Sequence, residues 1–400
     1  MVALFYLLPI LTCLYLYETM GTILEPWVYP VCVVSSWALT ALIHWLMYKV
    51  RVSDDEYLGS FISSVAHEDA WTELIPYVVQ VPVGKDSRGN TIYKQETRIR
   101  EFFHPETWMM QSNIGSRHYI SRKFYLSIVN TWQTPSYGYN YTGSHILGGV
   151  RYGRSYTFND ILERNREIGM NPMDNPNVCN CFFPMTEEHK YTNKLRNSHS
   201  IFKFESISKK KAKELGLFDY PPVKDFSQPC ILGREFPQEV YDAFLLLNSW
   251  YGAHYQIHVY VICFDAAKGV KIAEQQRAYW EGGNKNEFVV CLGLDGDVVK
   301  WSHAFSWMDE PTLAVKTEDY FRDHEQLDMI AFCYWLRENL SSWKRKSFKD
   351  FNYLSVSLTP TQNYILLGLV IAINIGIAYL VYYFTQSSIP PTPYSNILML

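Results

Sequence analysis

Lysine and arginine are absent from two stretches of this chain, the connector 18–26 and the tail 385–400, and charge of either sign is absent from Tyr364–Phe384. At about 1.5 Å rise per residue, an uncharged apolar run of that length covers the roughly 30 Å hydrocarbon core of a bilayer. A helix satisfies its own backbone there. Gly368 and Gly376, costly in a water-exposed helix, are common in membrane ones. A basic excess is lacking too: Lys and Arg number 36 against 40 Asp and Glu, which excludes the electropositive surface of a general nucleic-acid binder. The eight cysteines show no disulfide-framework spacing. Cys13 and Cys32 in apolar N-terminal runs, and Cys263 and Cys291 in strand-like ones, read as small buried hydrophobes and fit a reducing compartment. No phosphate loop, metal quartet or nucleophile–base pair reaches motif strength.

What is present is an apolar segment at each end. Residues 2–17 form a short run carrying Pro9, and Trp27–Val50 a second run closing on Lys49 and Arg51. A signal peptide is the rival for the first, but no Lys or Arg precedes its apolar core and no small-x-small site follows. The expected arrangement is an N-terminal helical hairpin, or a single span, with one C-terminal span. Lys49 and Arg51 flank the second run, and Lys344, Arg345, Lys346 and Lys349 precede the last. Both flanks of the intervening region are thus the positive side, which predicts an integral membrane protein with a cytoplasmic soluble domain.

The soluble region reads as an α+β, layered α/β fold. Ser53-Asp-Asp-Glu56 is a capping-box pattern, with Tyr57, Leu58, Phe61, Ile62 and Val65 as the stripe of the helix it would open. His67-Glu68-Asp69 at its end reads as a solvated face. Residues 77–83 and 91–99 are two strands joined by the turn-forming stretch 84–90, a hairpin with a protruding loop. His104-Pro-Glu106 precedes a helix expected around His118–Trp132 and reads as structural. The Gly- and Tyr-rich segment 136–157 has no clean period and reads as a long binding loop. Cys179, Cys181, His189 and His199 are candidate metal ligands, although the C-x-C spacing is narrower than usual for zinc. Lys209–Lys213 opens a short helix ending at Gly216.

From Glu235 the pattern is regular. A helix over 236–250, a strand over 257–264 closing on Asp265, a helix over 268–280, strands over 288–294 and 298–305, and a helix over 317–343 follow in turn. The strands 257–264 and 288–294 are expected to pair in parallel through the intervening helix. The domain reading is a membrane hairpin at 1–50, a mixed α+β domain at 51–230 and an α/β domain at 231–343. A basic juxtamembrane linker at 344–363, a span at 364–384 and a tail at 385–400 complete it.

The strand, Asp265, helix, Gly282-Gly-Asn-Lys-Asn-Glu287 loop, strand, Asp-Gly turn, strand and final membrane helix together resemble a diverged TPM domain over 236–343. The whole chain resembles uncharacterised membrane proteins of bacteria and phages. The TPM resemblance implies a phosphohydrolase or metal-binding module, or an accessory protein of membrane complexes. It makes Asp265, Asn284, Asn286 and Glu287 the candidate site residues. Against that, one Asp and one Glu are few ligands for a hard cation, and Gly282 and Gly283 also suit a helix cap. The residues favour a non-enzymatic, membrane-anchored binding or scaffolding protein with no required cofactor. Its partners would be the bilayer and another protein, or further copies of itself, and not nucleic acid; the membrane-anchored phosphohydrolase or divalent-metal module is the alternative.

Overall fold

The structure, a computed structural model, describes residues 2–20, 25–133, 137–141, 151–158, 171–174, 176–198 and 204–387. It divides into two compact units, one made of 1–54, 190–203 and 347–400, the other of 55–189 and 204–346.

The first unit is built on helices α1 (Val2–Met20), α2 (Val28–Val52) and, last in the chain, α10 (Pro360–Ser387). Two of them, over Val28–Val52 and Pro360–Phe384, are long and apolar enough to cross a membrane, and Leu7–Thr19 is a shorter apolar stretch. The three helices pack on one another. Three of their polar side chains, Ser36, Thr40 and Asn374, are buried: Ser36 Oγ donates to Asn374 Oδ1 at 3.2 Å, and Asn374 Nδ2 donates to the Val370 carbonyl at 2.8 Å. In an apolar surround such groups gain more from pairing than from exposure. At one end of α2, Asp54 accepts from Arg196 at 2.7 Å and from Asn193 Nδ2 at 2.8 Å.

The second unit holds three sheets. Strand β1 (Ser53–Glu68) is followed by β2 (Trp71–Lys85), β3 (Thr91–His104), β4 (Thr107–Ser112) and β5 (Arg117–Tyr119). Next come helix α3 (Arg122–Trp132), strands β6 (Tyr137–Tyr141) and β7 (Arg151–Thr157), helix α4 (Pro176–Cys181) and strand β8 (Pro184–Thr192). One sheet runs β5-β4-β1-β7-β6, with β8 also on β1. The helix expected from Ser53 is therefore a strand. A bulge between Ile62 and Ser64 turns Val65 to the face that Ile62 occupies, opposite Met110 and Ser112, so apolar residues three apart share one buried face and imitate a helical stripe. The 136–157 segment, expected as an irregular loop, contains the antiparallel pair β6–β7; positions 142–150 lie outside the described residues.

Helix α5 (Lys209–Leu215), ended by Gly216 at φ 71°, leads to strand β9 (Ile231–Leu232), helix α6 (Gln238–Tyr255) and strand β10 (His258–Asp265). Helix α7 (Lys271–Tyr279) and strands β11 (Glu287–Asp295) and β12 (Val298–Ser306) follow. This sheet has the order β12-β11-β10-β9, with β10 and β11 parallel as expected and β12 antiparallel to β11. Nearly every residue of β10 and β11 is buried, as a parallel pair covered on both faces requires. The expected single helix over 317–343 is two, α8 (Thr312–Asp323) and α9 (Met329–Asn339). The break forms where Val299 N–H donates to Glu325 O and Leu327 N–H to Asp297 O, and Asp328 then caps α9 through Ala331 N–H. Helix α6 meets β1 where Gly59 faces Gly252; a Cβ on Gly59 would stand 2.0 Å from the Asn248 carbonyl oxygen.

Candidate functional site

Strands β2 and β3 form a two-stranded sheet of their own, paired from Trp71↔His104 to Lys85↔Thr91 and, among the described residues, with no other strand. At about 3.4 Å per residue this arm is on the order of 45 Å long. It is the expected hairpin, longer at both ends. Most of its side chains are exposed, including Val78 at 60%, Ile99 at 55% and Phe103 at 65%. Pairing parity gives each face its chemistry. Ile75, Tyr77, Arg100 and Phe102 line a groove on one face, which also carries Lys94, Glu96 and Arg98. Arg98 pairs with Glu96 at 3.4 Å. The other face holds Leu74, Pro76, Val78, Pro82, Tyr93, Ile99 and Phe103. The two edges differ as well. Proline fits a strand without loss only where its N–H would point outward, so Pro76 and Pro82 strip two donors from the outer edge of β2. No proline interrupts β3.

At the root of the arm, where β1 hands over to β2 and β3 to β4, His67, Asp69 and Glu106 come together. Their donor atoms lie within 4.8 Å of one another, a group that could hold a metal ion. Glu106 Oε1 is 2.6 Å and Asp69 Oδ1 3.6 Å from His67 Nε2. The His67 ring stacks on Trp108, with centroids 5.7 Å apart. Beside them Trp71 stacks on His104 at 4.2 Å and donates to Glu68 Oε1 at 2.6 Å, while His104 pairs with Glu73 at 2.9 Å. Residues 67–69, expected as a solvated face, and 104–106, expected as structural, thus meet at one site. The signal was nonetheless available, because the ends of a predicted hairpin must lie side by side.

A second polar cluster surrounds Glu187 on β8, which is buried. Its Oε1 accepts from Ser60 Oγ at 2.6 Å, and His118 Nε2 and His189 Nε2 stand 3.9 and 3.8 Å from Oε2. Both of those nitrogens are buried and have no hydrogen-bond partner. Burial pushes the Glu187 carboxyl up, but hydrogen bonds from Ser116, Ser60 and Ser112 and the charge of His189 together hold it below its usual value.

The remaining expected residues scatter. His189 is at the Glu187 cluster, Cys179 and Cys181 are on α4, and His199 lies outside the described residues. Among the described residues no three of the metal candidates form a ligand group. Asp265 ends β10 and caps a short 3-10 turn by accepting from Ala267 N–H at 2.8 Å. Glu287 starts β11, where it accepts from Asn284 N–H at 2.8 Å, Asn284 Nδ2 at 2.7 Å and Tyr220 OH at 2.9 Å. Asn286 Nδ2 donates to the Tyr57 carbonyl at 2.6 Å. Because β10 and β11 are parallel, with His258 opposite Glu287 and Asp265 opposite Leu294, Asp265 and the 282–287 loop occupy opposite ends of the pair, about 23 Å apart at the usual rise. Helix α7 returns the chain to the starting edge, which is why they do not converge. Gly282 and Gly283, at φ 89° and 81°, end that helix as the cap reading expected.

No protein-family model, curated protein or solved structure matches the chain.

Proposed function

We propose that the protein is a membrane-anchored binding protein that takes its partner on the β2–β3 arm. The arm carries this reading: two strands that among the described residues pair only with each other, and keep large apolar side chains in solvent, are poorly explained as part of a core. Its edges favour a mode of binding. With β2 blocked by Pro76 and Pro82, an extended segment of the partner adds to the edge of β3. The groove of Ile75, Tyr77 and Phe102 around Arg100, with Lys94 on the same face, selects a partner segment that alternates apolar and acidic side chains.

Anchoring rests on α2 and α10, and the Lys and Arg bias at both flanks supports a cytoplasmic side for the intervening region. A membrane-anchored phosphohydrolase of TPM type has less support, since Asp265 and Glu287 lie at opposite ends of their strands and both are engaged in local structure.

Photocrosslinkers placed along β3 in the full chain in native membranes test the binding mode. Thr97 shares pairing parity with Ile99, opposite Pro76, so its N–H points outward and Thr97→Pro removes a free donor without touching the arm's own ladder. Crosslinks to one protein at β3, lost in Thr97→Pro while the fold is kept, are the expected result. Crosslinks that survive Thr97→Pro, or none from β3, overturn it. Protease protection of residues 51–360 in sealed vesicles of known orientation checks the side of the membrane.

A further inference from the structure

The chain leaves the β1 sheet through His67, Glu68 and Asp69 to enter the arm, and comes back through His104, Pro105 and Glu106. Strands β1 and β4 hold these two passages in register, with His67 opposite Trp108 and Glu68 opposite Thr107. One passage supplies an imidazole and a carboxylate, the other a carboxylate, and both carboxylates converge on the same nitrogen, His67 Nε2. A neutral imidazole has one proton to give at that atom, so it can serve only one of the two anions. The other is left facing a like charge at short range, which is unfavourable unless a cation is shared.

The donor set matches a borderline divalent ion. Zinc binds imidazole nitrogen at about 2.0–2.1 Å and carboxylate oxygen at about 2.0–2.2 Å, with water completing four-coordination. Calcium wants six to eight oxygens, more than these residues supply. The ligands are also held in place. His67 stacks on Trp108 and packs against Tyr125 at 5.9 Å, and the Asp69 N–H donates to the Tyr152 carbonyl at 3.0 Å. Such supporting contacts orient a metal ligand before the ion arrives. Asp69 and Glu106 are both exposed, which leaves an open path for entry.

We propose that His67, Asp69 and Glu106 bind a divalent ion of the zinc class, and that the ion clips together the two passages at the root of the β2–β3 arm. The clip fixes the arm on its sheet. Ion binding stands independently of the partner reading above, and the test is made without a partner present.

The experiment titrates the full chain in nanodiscs with Zn²⁺ by calorimetry and with Co²⁺ by its visible absorption, and follows hydrogen exchange at 68–71 and 104–107. One ion per chain, slower exchange at both passages, and affinity at least about tenfold weaker in Glu106→Gln and Asp69→Asn are the expected results. Glu187→Gln and His118→Gln should leave the affinity unchanged. No binding below about 1 mM, the weak end for biological divalent sites, overturns the proposal. So does equal affinity in Glu106→Gln and Asp69→Asn, which marks adventitious surface binding. Loss of binding in Glu187→Gln or His118→Gln instead would move the ion to the Glu187 cluster and overturn the assignment. Exchange protection at both passages that ignores added ion also overturns it.

Discussion

Two strand pairs in the second unit make opposite use of the same backbone chemistry. In β10 and β11 nearly every side chain is buried, and helices α6, α7 and α9 supply the surrounding core with Phe244, Ile272 and Phe332. In β2 and β3 the ladder is as regular, yet most side chains are in water. Apolar burial drives the first pair together at roughly 25 cal/mol per Å². The second has little of that, and an isolated hairpin is marginal in water. Its order comes instead from its root, where Trp71 stacks on His104 and the strand ends are tied to β1 and β4.

The comparison breaks most easily at matched phenylalanines. Phe332 is fully buried and Phe103 is 65% exposed. Phe332→Ala should cost about 3–5 kcal/mol in unfolding free energy, through lost transfer energy and the cavity left behind. Phe103→Ala should cost less than about 0.5 kcal/mol, the usual range for surface positions. Denaturation followed by tryptophan fluorescence checks both. Similar losses at the two sites would mean that the arm belongs to the core.

A smaller effect comes from His258 at the start of β10. Burial lowers its pKa from 6.5 to about 3, and neither ring nitrogen has a hydrogen-bond partner. Below pH 6.5 the unfolded chain therefore binds a proton that the folded chain refuses. Stability is full above that pH and falls as the pH drops toward about 3, by about 1.4 kcal/mol for each unit. His258→Leu should flatten the decline between pH 7 and 5.5. An unchanged slope would place the acid sensitivity elsewhere.

The same contrast explains what the sequence disclosed. Strands over 257–264 and 288–294, their parallel pairing and the glycine cap at 282–283 were legible, because a local pattern and a short connection determine them. The hairpin was legible for the same reason. β1 was not: Tyr57, Phe61 and Val65 fit a helical stripe, and only pairing with β4, β7 and β8, with a bulge that puts Ile62 and Val65 on one face, reveals a strand. The break between α8 and α9 was hidden likewise, since it depends on Glu325 and Leu327 meeting Val299 of β12 and Asp297 of the turn before it. Of the two ionisable clusters, His67 with Glu106 follows from extending the hairpin to its root, whereas His118 and Glu187 lie far apart in the chain and no local spacing brings them together.

The central claim is that the arm is a binding surface and dispensable to the fold. The direct measurement pans a displayed library of extended peptides on the full chain in nanodiscs, against a chain in which 73–102 is replaced by a short Gly-Ser turn. Both chains should melt at the same temperature, and only the intact one should enrich peptides that alternate apolar and acidic residues. Their affinity should fall at least about tenfold in Arg100→Glu, as expected for a charge reversal in a binding groove. Peptides that bind both chains equally, or an arm-deleted chain that fails to fold, would contradict the account.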